Sequence, residues 1–136
     1  MLMPKRTKYR KQMRGRLKGN SNRGYEVSFG KYALKSLERG FISSKQLEAA
    51  RKAISGATKR GGRLWIRVYP DKPITKKPLE VRMGGGKGAV DHYSVRVKPG
   101  RILFELSGLE KDIAEKAFKL ASSKLSVLTT IIYEEE

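Results

Sequence analysis

Cysteine is absent from all 136 residues, which excludes disulfides and thiolate metal sites such as a zinc ribbon and fits a reducing compartment. Histidine occurs once, as His92, and no group of Asp, Glu and His has the spacing of metal ligands. Long apolar runs are also missing. The longest uncharged apolar stretch, Leu125 to Tyr133, falls far short of the roughly 20 residues that cross a bilayer. The opening MLMPKR has no apolar signal region, so a soluble, cytoplasmic protein is expected. Acid is missing from the start of the chain: none appears before Glu26.

What fills that acid-free start is cationic. PKRTKYRKQMRGR, residues 4–16, carries Lys5, Arg6, Lys8, Arg10, Lys11, Arg14 and Arg16 with Tyr9 among them. Such a run repels itself and has too little apolar surface to offset the entropy of ordering, so it needs a polyanion to fold against. A solvated basic tail is the plainer reading; the density of arginine favours nucleic-acid phosphate. The whole chain has 31 Lys and Arg against 13 Asp and Glu, a net charge of +18. The charge is segregated: residues 1–101 carry +21 and residues 102–136 carry −3. A docking surface over most of the chain, with a solvated or protein-facing C-terminal element, follows from that division.

The periodicity predicts an arm over 1–24 and one α+β domain over 25–136, with two main helices packed on a mixed or antiparallel sheet. Tyr25 to Phe29 alternates like a short strand, and Tyr32 to Glu38 reads as a short helix. Ser43 and Gln46 have the spacing of a capping box, and Leu47, Ala50, Ile54 and Ala57 then share one helical face until Gly61-Gly62. The other face and the last turn carry Arg51, Lys52, Lys59 and Arg60. Arg63 to Tyr69 alternates strictly, placing Leu64, Ile66 and Val68 on a core face and Arg63, Trp65, Arg67 and Tyr69 on a basic-aromatic one. PDKPITKKP, residues 70–78, reads as a rigid surface loop displaying Lys72, Lys76 and Lys77. Leu79 to Met83 and Asp91 to Lys98 read as strands around GGGKG, with Arg101 to Leu106 the next strand. Ser107 and Glu110 repeat the capping spacing, opening a helix to about Lys124 with Ile113, Ala117, Phe118 and Ala121 as its stripe. Ser126 to Tyr133 completes the set as a β-branched strand.

Gly84, Gly86 and Ala89 satisfy G-x-G-x-x-A, but strand alternation follows where a dinucleotide site requires a helix, and Lys87 precedes Gly88 rather than Ser or Thr. A glycine-rich tip suits close approach to a sugar-phosphate strand, with Arg82 and Lys87 as its charges; a plain hairpin turn is the alternative. Asp91 and His92 are neighbours on a strand, point to opposite faces and make no dyad alone. Neither an enzyme nor a cofactor, metal or small-molecule substrate is expected. Trp65 either stacks on a base or fills the space between sheet and helix. Arg63 and Arg67 have no acid on their strand and should reach a phosphate-lined surface. With few exposed rings, backbone recognition of folded RNA is favoured over reading of bases.

PKRTKYRKQMRGR at 4–16, RVYPDKPITKKP at 67–78, RMGGGKGAV at 82–90, VKPGR at 97–101 and AFKLASSKL at 117–125 together resemble the bacterial-type family of protein sixteen of the large ribosomal subunit, over essentially the whole chain. The resemblance implies an α/β-hammerhead-like fold and binding to large-subunit ribosomal RNA beside the peptidyl-transferase region. It also implies contact with transfer RNA in the A site, extending to the P site, and neighbouring ribosomal proteins as partners. On this reading the ribosomal RNA contacts are Lys5, Arg6, Lys8, Tyr9, Arg10, Lys11, Arg14, Arg16, Arg51, Lys59, Arg60, Arg63, Arg67, Lys72, Lys76 and Lys77. Arg82, Met83, Gly84, Gly85, Gly86, Lys87 and Gly88 match the family's loop at the functional centre. That loop reads GKGKG in the family, so Gly85 stands in place of a lysine, and Ser126 stands where the family has proline. A free-standing RNA chaperone shares the charge and is the alternative; an anionic-membrane protein would need larger apolar groups opposite the cations than the alanines of the Ser43 helix.

Overall fold

The computed structural model describes residues 2–6, 19–21, 24–76 and 89–134. Within them the chain forms β1 (Tyr32–Ser36), β2 (Gly40–Ser43), α1 (Ser44–Ala57), β3 (Arg63–Ile66), β4 (Lys72–Lys76), β5 (Ala89–Val97), β6 (Ile102–Ser107), α2 (Lys111–Ser122) and β7 (Thr129–Tyr133). This is the expected α+β class, but the strands divide into two sheets. One has the order β3-β6-β1-β7 and the other β2-β5-β4. Every pairing is antiparallel.

α1 packs against β2 and β5, α2 against β1 and β7, and the helices pack on each other, so one core runs through both sheets. Phe104, Leu34, Ile42, Leu47, Ile54, Leu103 and Phe118 are almost completely buried in it. α1 starts where the capping pattern puts it. The Ser43 hydroxyl accepts from the Gln46 amide at 3.2 Å, and the Gln46 side chain accepts from the Ser43 amide at 3.0 Å. Leu47, Ala50 and Ile54 are buried as the stripe requires.

Several expectations are corrected. Residues 32–36 form a strand, not a helix, because β1 pairs on both sides, with β6 and β7, and buries Tyr32, Ala33 and Leu34; sheet pairing overrides the helical preference of Ala, Leu and Lys. Tyr25 to Phe29 forms no strand; the amides of Ser28 and Phe29 at its end are taken by a side chain described below. Lys72–Lys76 is not a loop but strand β4, which among the described residues lies at the edge of its sheet, the position where a proline such as Pro73 is tolerated. The strand expected over Leu79 to Met83 lies outside the described residues.

β6 continues through Ser107, which pairs with Arg63, so the capping box expected there does not form. Glu110 takes the cap position of α2 without a side-chain hydrogen bond. The stripe turns by one position: Ala114, Ala117, Phe118 and Ala121 are buried, while Ile113 is exposed. Ser126 does more than shape the last turn. Its hydroxyl donates to the Phe41 carbonyl at 2.7 Å and lies 3.2 Å from the Gln46 side-chain oxygen, tying the exit of α2 to the cap of α1 in a way proline cannot.

Candidate nucleic-acid interface

α1 does not run to the glycine pair; it ends at Thr58, whose hydroxyl donates to the Ile54 carbonyl at 2.9 Å. Lys59 and Arg60 follow with φ of 54° and 61°. Two consecutive left-handed non-glycine residues cost about 1–2 kcal/mol each. The turn is closed by the Arg60 amide on the Ser55 carbonyl and the Gly61 amide on the Thr58 carbonyl, both at 2.9 Å. Gly62, at φ 69°, must be glycine: a Cβ would lie 2.6 Å from the Ser107 carbonyl oxygen and from Leu109 Cγ. The result is two exposed cations on a hydrogen-bonded tip that leads through Gly61-Gly62 to Arg63. Arg51, Lys52 and Arg60 surround a shallow depression of about 530 Å³ beside it, with Ser55 and Gly56. Arg51 is bridged to Glu48 at 2.5 Å on the same helix, an exposed pair of small energetic weight.

In β3 the alternation holds. Leu64 and Ile66 pack against the core, and Trp65, paired with Glu105 across the ladder, shares the opposite face with Arg63. Over that face lies the segment Glu26 to Gly30. One oxygen of Glu105 accepts the amides of Ser28 at 3.0 Å and of Phe29 and Gly30 at 2.9 Å, and the other accepts from Arg67. Burial pushes the Glu105 carboxyl up, and the Gly30 amide, Arg67 and the Phe29 and Ser28 amides outweigh it, holding the pKa below the usual carboxylate value. Gly30 is fitted to this approach, since a Cβ there would meet the Leu106 carbonyl oxygen at 2.7 Å. The arrangement sets Phe29 against Trp65 with ring centroids 6.0 Å apart and planes inclined by 20°. Arg63 lies 5.4 Å from the Trp65 ring and Arg67 5.1 Å from the Phe29 ring.

The second sheet offers a groove lined by Phe41, Lys45, Gln46, Ile74, His92 and Ser126, of about 820 Å³. Lys72 is buried at 2% exposure with its ammonium 5.4 Å from the Phe41 ring, in place of the surface-loop position expected for it. Asp91 and His92 do meet, contrary to their strand phase: His92 Nδ1 lies 2.7 Å from Asp91 Oδ2 on the groove's exposed rim. Among the described residues no group of three His, Cys, Asp or Glu is placed to hold a metal ion, and no helix is long and apolar enough to cross a membrane.

Of the predicted contact residues, Lys5, Arg6, Lys59, Arg60 and Arg63 are exposed and Arg51 is partly so. Arg67 departs from expectation: a partner acid stands on the neighbouring strand, and the guanidinium is turned inward to Glu105. The Tyr69 hydroxyl donates to the Met3 carbonyl, which brings the beginning of the chain beside the segment after β3. Lys8, Tyr9, Arg10, Lys11, Arg14, Arg16, Lys77 and the loop Arg82, Met83, Gly84, Gly85, Gly86, Lys87 and Gly88 lie outside the described residues, as does the side chain of Lys76. Phe29 and Glu105 were not among the predicted site residues. The VSFG and FEL contexts hold no spacing that links them to Trp65 or Arg67, and only the β3–β6 pairing does.

The match to known proteins agrees with the resemblance read from the motifs. Residues 4–132 match the family model of ribosomal protein L16p/L10e. The chain belongs to this family. The large ribosomal subunit protein uL16 of Trichodesmium erythraeum (strain IMS101) is 55% identical over 136 residues, covering 100% of this chain and 99% of that protein. The protein of the same name from Halorhodospira halophila (strain DSM 244 / SL1) is 56% identical over 132 residues, covering 97% and 96%. L16p/L10e proteins are structural components of the ribosome and not enzymes.

Proposed function

We propose that this chain is a constituent of the large subunit of the cytoplasmic ribosome that neutralises phosphates of the large-subunit (23S-type) RNA near the peptidyl-transferase region. It forms part of the surface that meets transfer RNA in the A site and, beyond it, the P site. It positions and does no bond chemistry. The observation that carries the reading is the basic tip, where Lys59 and Arg60 are held exposed at the expense of left-handed backbone, two glycines before the exposed Arg63. A turn needing only a reversal would use glycine at those positions. Cations maintained there against that cost are what phosphate contact requires.

In this proposal residues 1–24 form an extended arm that threads between RNA helices, residues 25–136 form the domain that anchors it, and Arg82 to Gly88 reach the transfer RNA. The C-terminal third, with its opposite net charge, faces solvent or neighbouring ribosomal proteins. Sucrose-gradient fractionation of cells with the tagged chain tests the assignment. One copy per large subunit is expected, resistant to a low-salt wash. A free pool bound to many RNAs, with no stoichiometric large-subunit fraction, would establish the chaperone alternative instead. Removal of residues 1–16 is expected to weaken subunit incorporation or transfer-RNA binding while leaving a cooperative melt.

A further inference from the structure

Phe29 is 59% exposed although its ring is ordered against Trp65 and its amide is pinned by a buried carboxylate. An apolar ring held outward by a buried charge network is preorganised for something that touches rings. Arg67, next to Phe29, is neutralised by Glu105. Arg63, next to Trp65, is exposed and makes no ion pair with a described residue. The column Arg63, Trp65, Phe29, Arg67 therefore offers the exposed surface of Phe29 together with one guanidinium, Arg63, that lies over the Trp65 ring and has no carboxylate partner among the described residues, and the cations of the α1 turn lead into it along the chain.

We propose that this column is the docking site for the base of a single unpaired RNA nucleotide, extruded from a helix. The base packs on the exposed surface of the Phe29 ring, which Trp65 backs by stacking, and Arg63 takes the phosphate beside it. The proposal rests on the RNA-binding function above and sharpens it. An intact A-form helix presents phosphates and hydroxyls to a protein, with its base faces covered by their neighbours, so exposed rings gain nothing from it. An unpaired base has two open faces, and stacking on an aromatic side chain is tolerant of base identity because every base has a π-face. The flanking positive charge favours a nucleotide over an apolar protein side chain, which carries no phosphate to balance Arg63.

Trp65 is the only tryptophan, so its emission reports on this column alone. The full chain is titrated with two RNA stems of equal charge, one fully paired and one carrying a single-nucleotide bulge. Quenching of Trp65 by the bulged stem and little change with the paired stem are expected. Phe29→Ala should weaken binding of the bulged stem by about tenfold or more, the usual weight of one stacked base, and leave the paired stem unaffected. Phe29→Tyr should restore it. Phe29→Leu, which keeps the apolar bulk and guards against misfolding, should behave as Phe29→Ala. Salt-sensitive binding of both stems without a change in Trp65 emission, or an equal loss for both in Phe29→Ala and Phe29→Leu, would overturn the docking site and leave RNA binding standing. No binding of either stem at low salt would remove both.

Discussion

Glu105 is the side chain on which the outer face of the first sheet depends, because a single carboxylate satisfies three backbone amides and one guanidinium in a place water does not reach. Replacing it with Gln strands Arg67 without its countercharge, and a loss of about 3 kcal/mol in unfolding free energy is expected. The pH dependence has a definite sign. The native carboxyl titrates below its ordinary value of 4.5, so its contribution is complete above that pH and disappears as the pH falls through the lowered native value. Urea melts of the wild type and Glu105→Gln should differ at pH 7 and converge in acid; a gap of constant size down to pH 3 would contradict the role assigned to the charge. Ser126 makes a smaller claim. Ser126→Ala removes a donor to the Phe41 carbonyl and should cost about 0.5–1 kcal/mol in the same melts.

Between α1 and β3 the backbone is arranged for display at some expense in stability. Replacing Lys59 and Arg60 together by glycine should raise stability by about 1 kcal/mol or more, by relieving two left-handed residues, while weakening RNA binding through loss of two cations. Opposite signs in the melt and in the binding isotherm are the outcome that distinguishes a functional turn from a merely tolerated one. Gly62→Ala should destabilise in both, since its Cβ would strike the Ser107 carbonyl. α1 was legible in the sequence because its cap and stripe are local, and both Ser43–Gln46 bonds are present. β1 was not, since YALKS has helical composition and becomes a strand only through β6 and β7, distant in the chain. β4 was hidden by Pro73, which an edge position accommodates, and the start of α2 by a capping spacing whose first residue, Ser107, belongs to β6.

The division of charge, +21 over residues 1–101 and −3 beyond, was readable before any fold was known and pointed to a docking surface for a polyanion, while the motifs at 4–16, 67–78, 82–90, 97–101 and 117–125 carried the resemblance to the family that the chain's relatives establish. The site was legible only in part. The alternation of Arg63, Trp65 and Arg67 placed them on one face, but whether a cation reaches outward depends on what the next strand supplies, and Glu105 turns Arg67 inward while Arg63 stays exposed. Phe29 had no signal at all, because its place is fixed by amides bound to a residue far along the chain. In the proposed function, electrostatic neutralisation of RNA unites the arm, the tip and the exposed arginine. It is tested by binding the full chain to large-subunit ribosomal RNA fragments across a salt series. If about 6 to 10 phosphates are contacted, affinity should fall roughly 1,000- to 100,000-fold between about 50 and 200 mM salt, linearly on logarithmic axes. A flat response over that range would contradict it.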